Sequence, residues 1–187
     1  MIQISIVIPL YNEEESLPEL IEWISRVMKT HGFLYEVIMV DDGSDVNCRN
    51  ILTQLAQDNA HMTLQTHASN QGKGAAIKTG IHAAQKAGFT HALQIDADGQ
   101  HDINDVPRFI EAMHLRPDAL IAGYPQYDKS IPKLRYYGRY ASHVWVWINT
   151  LSLTIKDSMC GFRIYPVAPS HQLIVKEKMG DRMDYDG

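Results

Sequence analysis

Short runs of β-branched and apolar residues alternate along this chain with segments of helical period, and that alternation restricts the fold more than any other feature. Ile2 to Leu10 reads as a strand. Ser16-Leu17-Pro18-Glu19 has the capping-box pattern, with proline in the first turn where it is tolerated. Leu17, Leu20, Ile21, Ile24, Val27 and Met28 then recur at helical spacing, and His31-Gly32 ends that helix. Tyr35 to Val40 is a second strand. Asn50 to Asp58 is expected to be helical with Ile51, Leu52 and Leu55 inward. Met62 to Thr66 makes a short third strand, and Gly72 to Ala87 an alanine-rich helix stopped by Gly88. His91 to Ile95 is a buried strand, Val106 to Leu115 a helix and Ala119 to Gly123 a further strand. The pattern predicts one α/β domain with a mostly parallel sheet and helices on both faces.

In such sheets ligands bind beyond the carboxyl ends of the strands. The unusual residues all fall there. Pro9, Tyr11, Asn12 and Glu13 follow the first strand, and Asp41 and Asp42 the second. Asn70-Gln71-Gly72-Lys73-Gly74 follows the third, and Asp96 and Asp98 the fourth. Polar, glycine-bearing loops gathered on one rim of a rigid sheet point to a site.

Each cluster carries its own chemistry. Asp96 and Asp98 are one residue apart, so their carboxylates converge if the chain stays extended. Like charges that close repel, and a hard divalent cation resolves the repulsion; the same residues also suit a solvated turn. Gln100, two residues past Asp98, has the better geometric claim as an additional ligand; His101 suits assistance to the metal or, as is more often the case for one of nine scattered histidines, a structural place. The run is no EF-hand, because His101 stands where the glycine belongs and Pro107 where the glutamate does. Asp41 and Asp42 suit a base or ribose edge, whereas Ser44 and Asp45 suit a helix cap. Gly72-Lys73-Gly74 suits a phosphate at a helix start, or close helix–sheet packing. It is not a Walker A loop, since Gly74 follows the lysine.

Composition excludes more than it selects. With 187 residues, 45% hydrophobic and 21% charged, the chain fits a single compact domain. A formal net charge of -5 argues against a broad nucleic-acid surface. Two cysteines, Cys48 and Cys160, make no disulfide framework or zinc set and suit a reducing cytosol. No charged-then-apolar leader opens the chain, and no apolar run approaches the ~20 residues of a spanning helix. The expectation is a cytoplasmic protein that is soluble or held at the inner face of the membrane.

Taken together, four motifs resemble the family 2 glycosyltransferases: Ile6-Val7-Ile8-Pro9-Leu10-Tyr11-Asn12-Glu13-Glu14, Val40-Asp41-Asp42-Gly43-Ser44, Asn70 to Ala76, and Asp96 to His101. Within that family the chain looks like the dolichyl- or polyprenyl-phosphate sugar synthases, and the resemblance extends through Asp157-Ser158-Met159-Cys160-Gly161-Phe162-Arg163. It implies the GT-A fold of nucleotide-diphospho-sugar transferases and an inverting transfer to an acceptor such as a polyprenyl phosphate. It implies that Pro9, Tyr11 and Glu13 line a nucleoside pocket, that Asp41, with Asp42 beside it, contacts the base, and that Lys73 lies near the donor. Asp96, Asp98 and Gln100 would hold Mg²⁺ or Mn²⁺ against the donor diphosphate. Arg163 would face the phosphate side, and Lys133, Arg135 and Arg139 would bind an acceptor phosphate. Gly138 departs from the serine of that branch, which bears on the acceptor rather than the donor.

A lipid-phosphate acceptor needs a cationic clamp, whereas a hydroxyl acceptor needs a base. Asp157 is the candidate base, and a turn residue otherwise. Val144-Trp145-Val146-Trp147-Ile148 near Arg135 and Arg139 suits either a membrane interface or a buried helix. Met179 to Asp186 looks like a family motif that normally runs on into further helix, so the domain spanning residues 1–187 is expected to be truncated at its carboxyl end. Two other classes compete. A sugar-nucleotide pyrophosphorylase would carry a Gly- and Arg-rich loop where Tyr11-Asn12-Glu13-Glu14-Glu15 stands. A non-catalytic binding module would not need both Asp96 and Asp98.

Overall fold

The computed structural model describes residues 3–124 and 160–176. The elements are β1 (Ile4–Leu10), α1 (Leu17–Thr30), β2 (Tyr35–Asp41), α2 (Val46–Asp58), β3 (Met62–Thr66), α3 (Lys73–Ala87) and β4 (His91–Gln94). A short 3₁₀ turn (Ile103–Asp105), α4 (Val106–Leu115), β5 (Ile121–Ala122), β6 (Arg163–Pro166) and α5 (Val167–Lys176) complete them. The six strands form one sheet in the order β3-β2-β1-β4-β6-β5. β3, β2, β1 and β4 are mutually parallel, and β6 runs antiparallel to both β4 and β5. The mostly parallel α/β sheet predicted from the alternation is thus present.

Period-two alternation sorts the sheet's side chains into two cores. Ile4, Ile6, Ile8 and Leu10 face one side with the apolar stripe of α1. Val7, Ile38 and Val40 face the other, against Ala76 and Ala84 of α3. The small residues of α3 serve a close approach: a Cβ at Gly80 would collide with the Val7 side chain. All six predicted inward residues of α1 are buried.

Some boundaries and faces differ from the sequence reading. α2 begins four residues before Asn50, because the Asp45 carboxylate accepts from the Asn47 and Cys48 amides and starts the helix there. Ile51 is 41% exposed, while Cys48 and Leu52, four residues apart on one face, take the interior. The capping box at Ser16 does not form. Its hydroxyl makes no cap bond and instead donates to the carbonyls of Ala97 and Glu13. Ser16 therefore ties the start of α1 to the turn after β4. Among the described residues no helix is long and apolar enough to cross a membrane.

Candidate active site

The strand order reverses between β1 and β4, and the crevice at that point is where open α/β sheets bind ligands. β1 runs out into Tyr11-Asn12-Glu13, and β4 into Asp96-Ala97-Asp98. Asn12 adopts φ +54°, a left-handed conformation that asparagine tolerates. Its amide donates to Ser44 Oγ at 3.0 Å, and its Oδ1 accepts from the Asp45 amide at 2.9 Å. The loops after β1 and β2 are thereby locked together.

Two cavities open on this rim. The smaller, about 230 Å³, is lined by Pro9, Leu10, Tyr11, Glu13, Asp42, Asn70, Lys73, Ala76 and the Asp96-Ala97-Asp98 turn. The larger, about 1010 Å³, is lined among the described residues by Gln100, His101, Asp105, Arg108, Phe109, Tyr124, Cys160, Gly161 and Phe162, together with others of the same segments. Asp96 and Asp98 line both, so they form the shared wall.

Asp96 is the most heavily engaged group of the wall. Lys73 Nζ donates to its Oδ2 at 2.8 Å, and Gln94 Nε2 to its Oδ1 at 3.2 Å. His101 Nε2 lies 3.3 Å from Oδ2. Burial alone would raise the Asp96 carboxyl, but His101 and Lys73 together outweigh it and hold the group well below the usual carboxylate range. Gly161 packs directly beneath, where a Cβ would collide with the Asp96 carboxylate. Asp98 is exposed, and its Oδ1 accepts from the Gln100 backbone amide at 3.0 Å. The Glu13 carboxyl is pushed up, first by burial and then by the negative charges of Asp98 and Asp96.

The other predicted residues fall differently. Asp41 is fully buried; its Oδ1 accepts from the Ser44 amide at 2.8 Å and its Oδ2 from Arg49 Nε at 3.3 Å. Both oxygens are turned into the protein, so the base contact expected of Asp41 is not prepared. Asp42 reaches the smaller cavity, yet it accepts from the Gln71 and Gly72 amides at 2.9 and 2.8 Å and meets His67 Nδ1 at 2.7 Å. One of the Gly72-Lys73-Gly74 amides expected for a phosphate, that of Gly72, is thus committed to Asp42. Gly43, at φ +81°, lies too close to the Ser69–Asn70 backbone for any side chain.

Arg163 does not face the cavities. It sits opposite Gln94 in the sheet, 6% exposed, and its Nη1 donates to Tyr165 Oη at 3.4 Å. Tyr165 in turn donates to Gln94 Oε1 at 3.0 Å, so the arginine reaches Asp96 through two intermediaries. The sequence reading missed Gln94 and Tyr165, which carried no signal beyond being polar groups on buried strands. Lys133, Arg135, Arg139, Asp157, the tryptophan pair and the run at 179–186 lie outside the described residues.

The fold is that of an open, mostly parallel α/β sheet with a paired-carboxylate crevice where the strand order reverses. The chain belongs to glycosyl transferase family 2, whose model matches residues 5–179. It is also similar to solved structures. One is glucosyl-3-phosphoglycerate synthase from Mycobacterium tuberculosis in complex with Mn²⁺, UDP and phosphoglyceric acid, at 17% identity and a TM-score of 0.66, covering 88% of this chain and 56% of that one. Another is TarS 1-349 from S. aureus in complex with UDP, at 18% identity and a TM-score of 0.60, covering 98% and 53%. At such identities the likeness is one of fold. The chain spans about half the length of these solved chains.

Proposed function

We propose that this chain is the donor-binding and catalytic domain of a metal-dependent, inverting glycosyltransferase that moves a sugar from a nucleotide-diphospho-sugar to an acceptor. One observation carries the reading: Asp96 and Asp98 form the wall between two cavities at the point where the strand order reverses. The smaller cavity suits a nucleoside, with Pro9, Tyr11 and Glu13 along it. The larger suits the sugar and the acceptor.

A divalent ion fits the donor set. The charges of Asp98 and Asp96 disfavour that of Glu13 beside them, and Lys73 already places one cation on Asp96. Their ligand atoms are all oxygen, which favours Mg²⁺ or Mn²⁺. Among the described residues no group of three or more His, Cys, Asp or Glu side chains forms a complete cage. The ion would therefore rest on Asp96 and Asp98, with Gln100 beside them, and draw further ligands from the diphosphate. Bound there, it would act as a Lewis acid on the leaving group.

The protein's own groups would do the rest. Lys73 stands at the start of α3, within reach of a phosphate in the smaller cavity. Arg163 would support Asp96 through Tyr165 and Gln94. A polyprenyl phosphate acceptor at an inner membrane face, with Lys133, Arg135 and Arg139 as its clamp, is the finer part of the reading. It would need no base, whereas a hydroxyl acceptor would need one such as Asp157.

Calorimetry with UDP-, GDP- and other nucleotide sugars, with and without Mn²⁺, tests the core of it. Binding of at least one donor that requires the metal is expected. Failure of every donor with metal present would sink the proposal.

A further inference from the structure

His101 Nε2 is buried and lacks an aligned hydrogen-bond partner, yet it stands 3.3 Å from Asp96 Oδ2. A ring nitrogen facing a carboxylate oxygen is favourable only when it presents its N–H. The ring has been fixed in that place by stacking. Its centroid is 5.0 Å from that of Phe162 at 28°, and Phe162 meets Phe109 at 4.3 Å. Phe162 follows Gly161, the residue on which the Asp96 carboxylate rests. The loop before β6 therefore supports Asp96 twice, directly through a missing side chain and indirectly through Phe162 and His101. Lys73 reaches Asp96 from a residue lining the smaller cavity, and His101 from one lining the larger.

We infer that His101 is a positioning residue: held by the Phe162–Phe109 stack, it fixes the Asp96 carboxylate in the orientation that receives the divalent ion with its diphosphate. This rests on the metal-dependent reading of the site. Groups that orient a metal-binding side chain from behind are commonly worth about 10–100-fold in metal affinity. His101 is suited to the task because its polar atom has no competing partner, so its N–H is available to a carboxylate that shifts slightly on loading.

Two variants separate the nitrogen from the ring. His101→Phe keeps the stack on Phe162 and removes the nitrogen. His101→Gln keeps an N–H and removes the stack. The measurement is the Mn²⁺ concentration giving half-maximal UDP binding by calorimetry, with thermal melts of the metal-free proteins as a check on folding. The expected result is a Mn²⁺ requirement raised about tenfold or more in His101→Phe and changed by no more than about threefold in His101→Gln. A wild-type requirement in His101→Phe would overturn the inference. So would an equal loss in both variants, which would assign the effect to ring packing. No Mn²⁺-dependent nucleotide binding by the unaltered chain would instead bring down the proposed function, and this inference with it.

Discussion

Two acidic pairs stand at the ends of neighbouring parts of the same sheet, and their surroundings give them opposite roles. Asp41 and Asp42 close β2 and are buried. Protein groups fill them: Ser44 and Arg49 on Asp41, and His67, Gln71 and Gly72 on Asp42. Asp96 and Asp98 follow β4 and stay partly open. Asp98 is exposed and accepts one backbone amide, while Asp96 is met by Lys73, Gln94 and His101 but still lines both cavities. A carboxylate saturated by its own chain organises loops. A carboxylate with unspent acceptor capacity beside a cavity is available to a ligand.

The largest effect that would sharpen this contrast is expected at Asp98. Asp98→Ala should leave the melting temperature nearly unchanged, because the side chain is exposed. It should lower transfer by a hundred- to thousand-fold, on the order of 3–4 kcal/mol of lost leaving-group stabilisation. Turnover at the wild-type rate in saturating Mn²⁺ would break the comparison from the active side.

Asp42→Ala should behave in the reverse way. It strands the Gln71 and Gly72 amides and a nitrogen of His67, at a cost of about 3 kcal/mol measurable by urea unfolding. A variant of undiminished stability that had lost only nucleotide binding would place Asp42 with the ligand-binding pair instead.

Gly161→Ala comes next. The added methyl must displace the Asp96 carboxylate, so a loss of about 2 kcal/mol in stability together with weaker Mn²⁺-dependent binding is expected. A change in one of the two properties without the other would separate the support of Asp96 from its ligand role.

The smallest effect is at Glu13. Its carboxyl is pushed up by burial and then by Asp98 and Asp96, so the ionised side chain costs the folded state stability at neutral pH. Glu13→Gln should raise the metal-free melting temperature on the order of 1 °C at pH 7. The advantage should shrink as pH falls and the wild-type carboxyl takes up its proton. A variant destabilised at pH 7 would mean that Glu13 is held by attraction, not repulsion.

Much of this molecule was legible before its coordinates. The stripe from Leu17 to Met28 required a helix with one buried face, and the polar clusters after each strand had to share an edge once the strands were parallel. Asp45 was readable as a cap because a cap is local, contacting residues two and three positions on. Ser16 had the same local signature and was diverted, because the Ala97 carbonyl, 81 residues away, lies within reach of its hydroxyl. Ile51 looked inward by type, but α2 packs on the face of Cys48 and Leu52 and leaves it 41% exposed. Arg163 was visible as part of a motif, yet its route to Asp96 runs through residues on two antiparallel strands.

The amino-acid order by itself determined the layer architecture, the rim on which chemistry gathers and the family, since periodicity and local motifs depend on neighbours in the chain. Only the tertiary structure decided which acidic side chains are turned into the protein and which line the cavities. That depends on where distant segments come to lie, such as Gly72 on Asp42 or Lys73 and His101 on Asp96, and no local pattern places them.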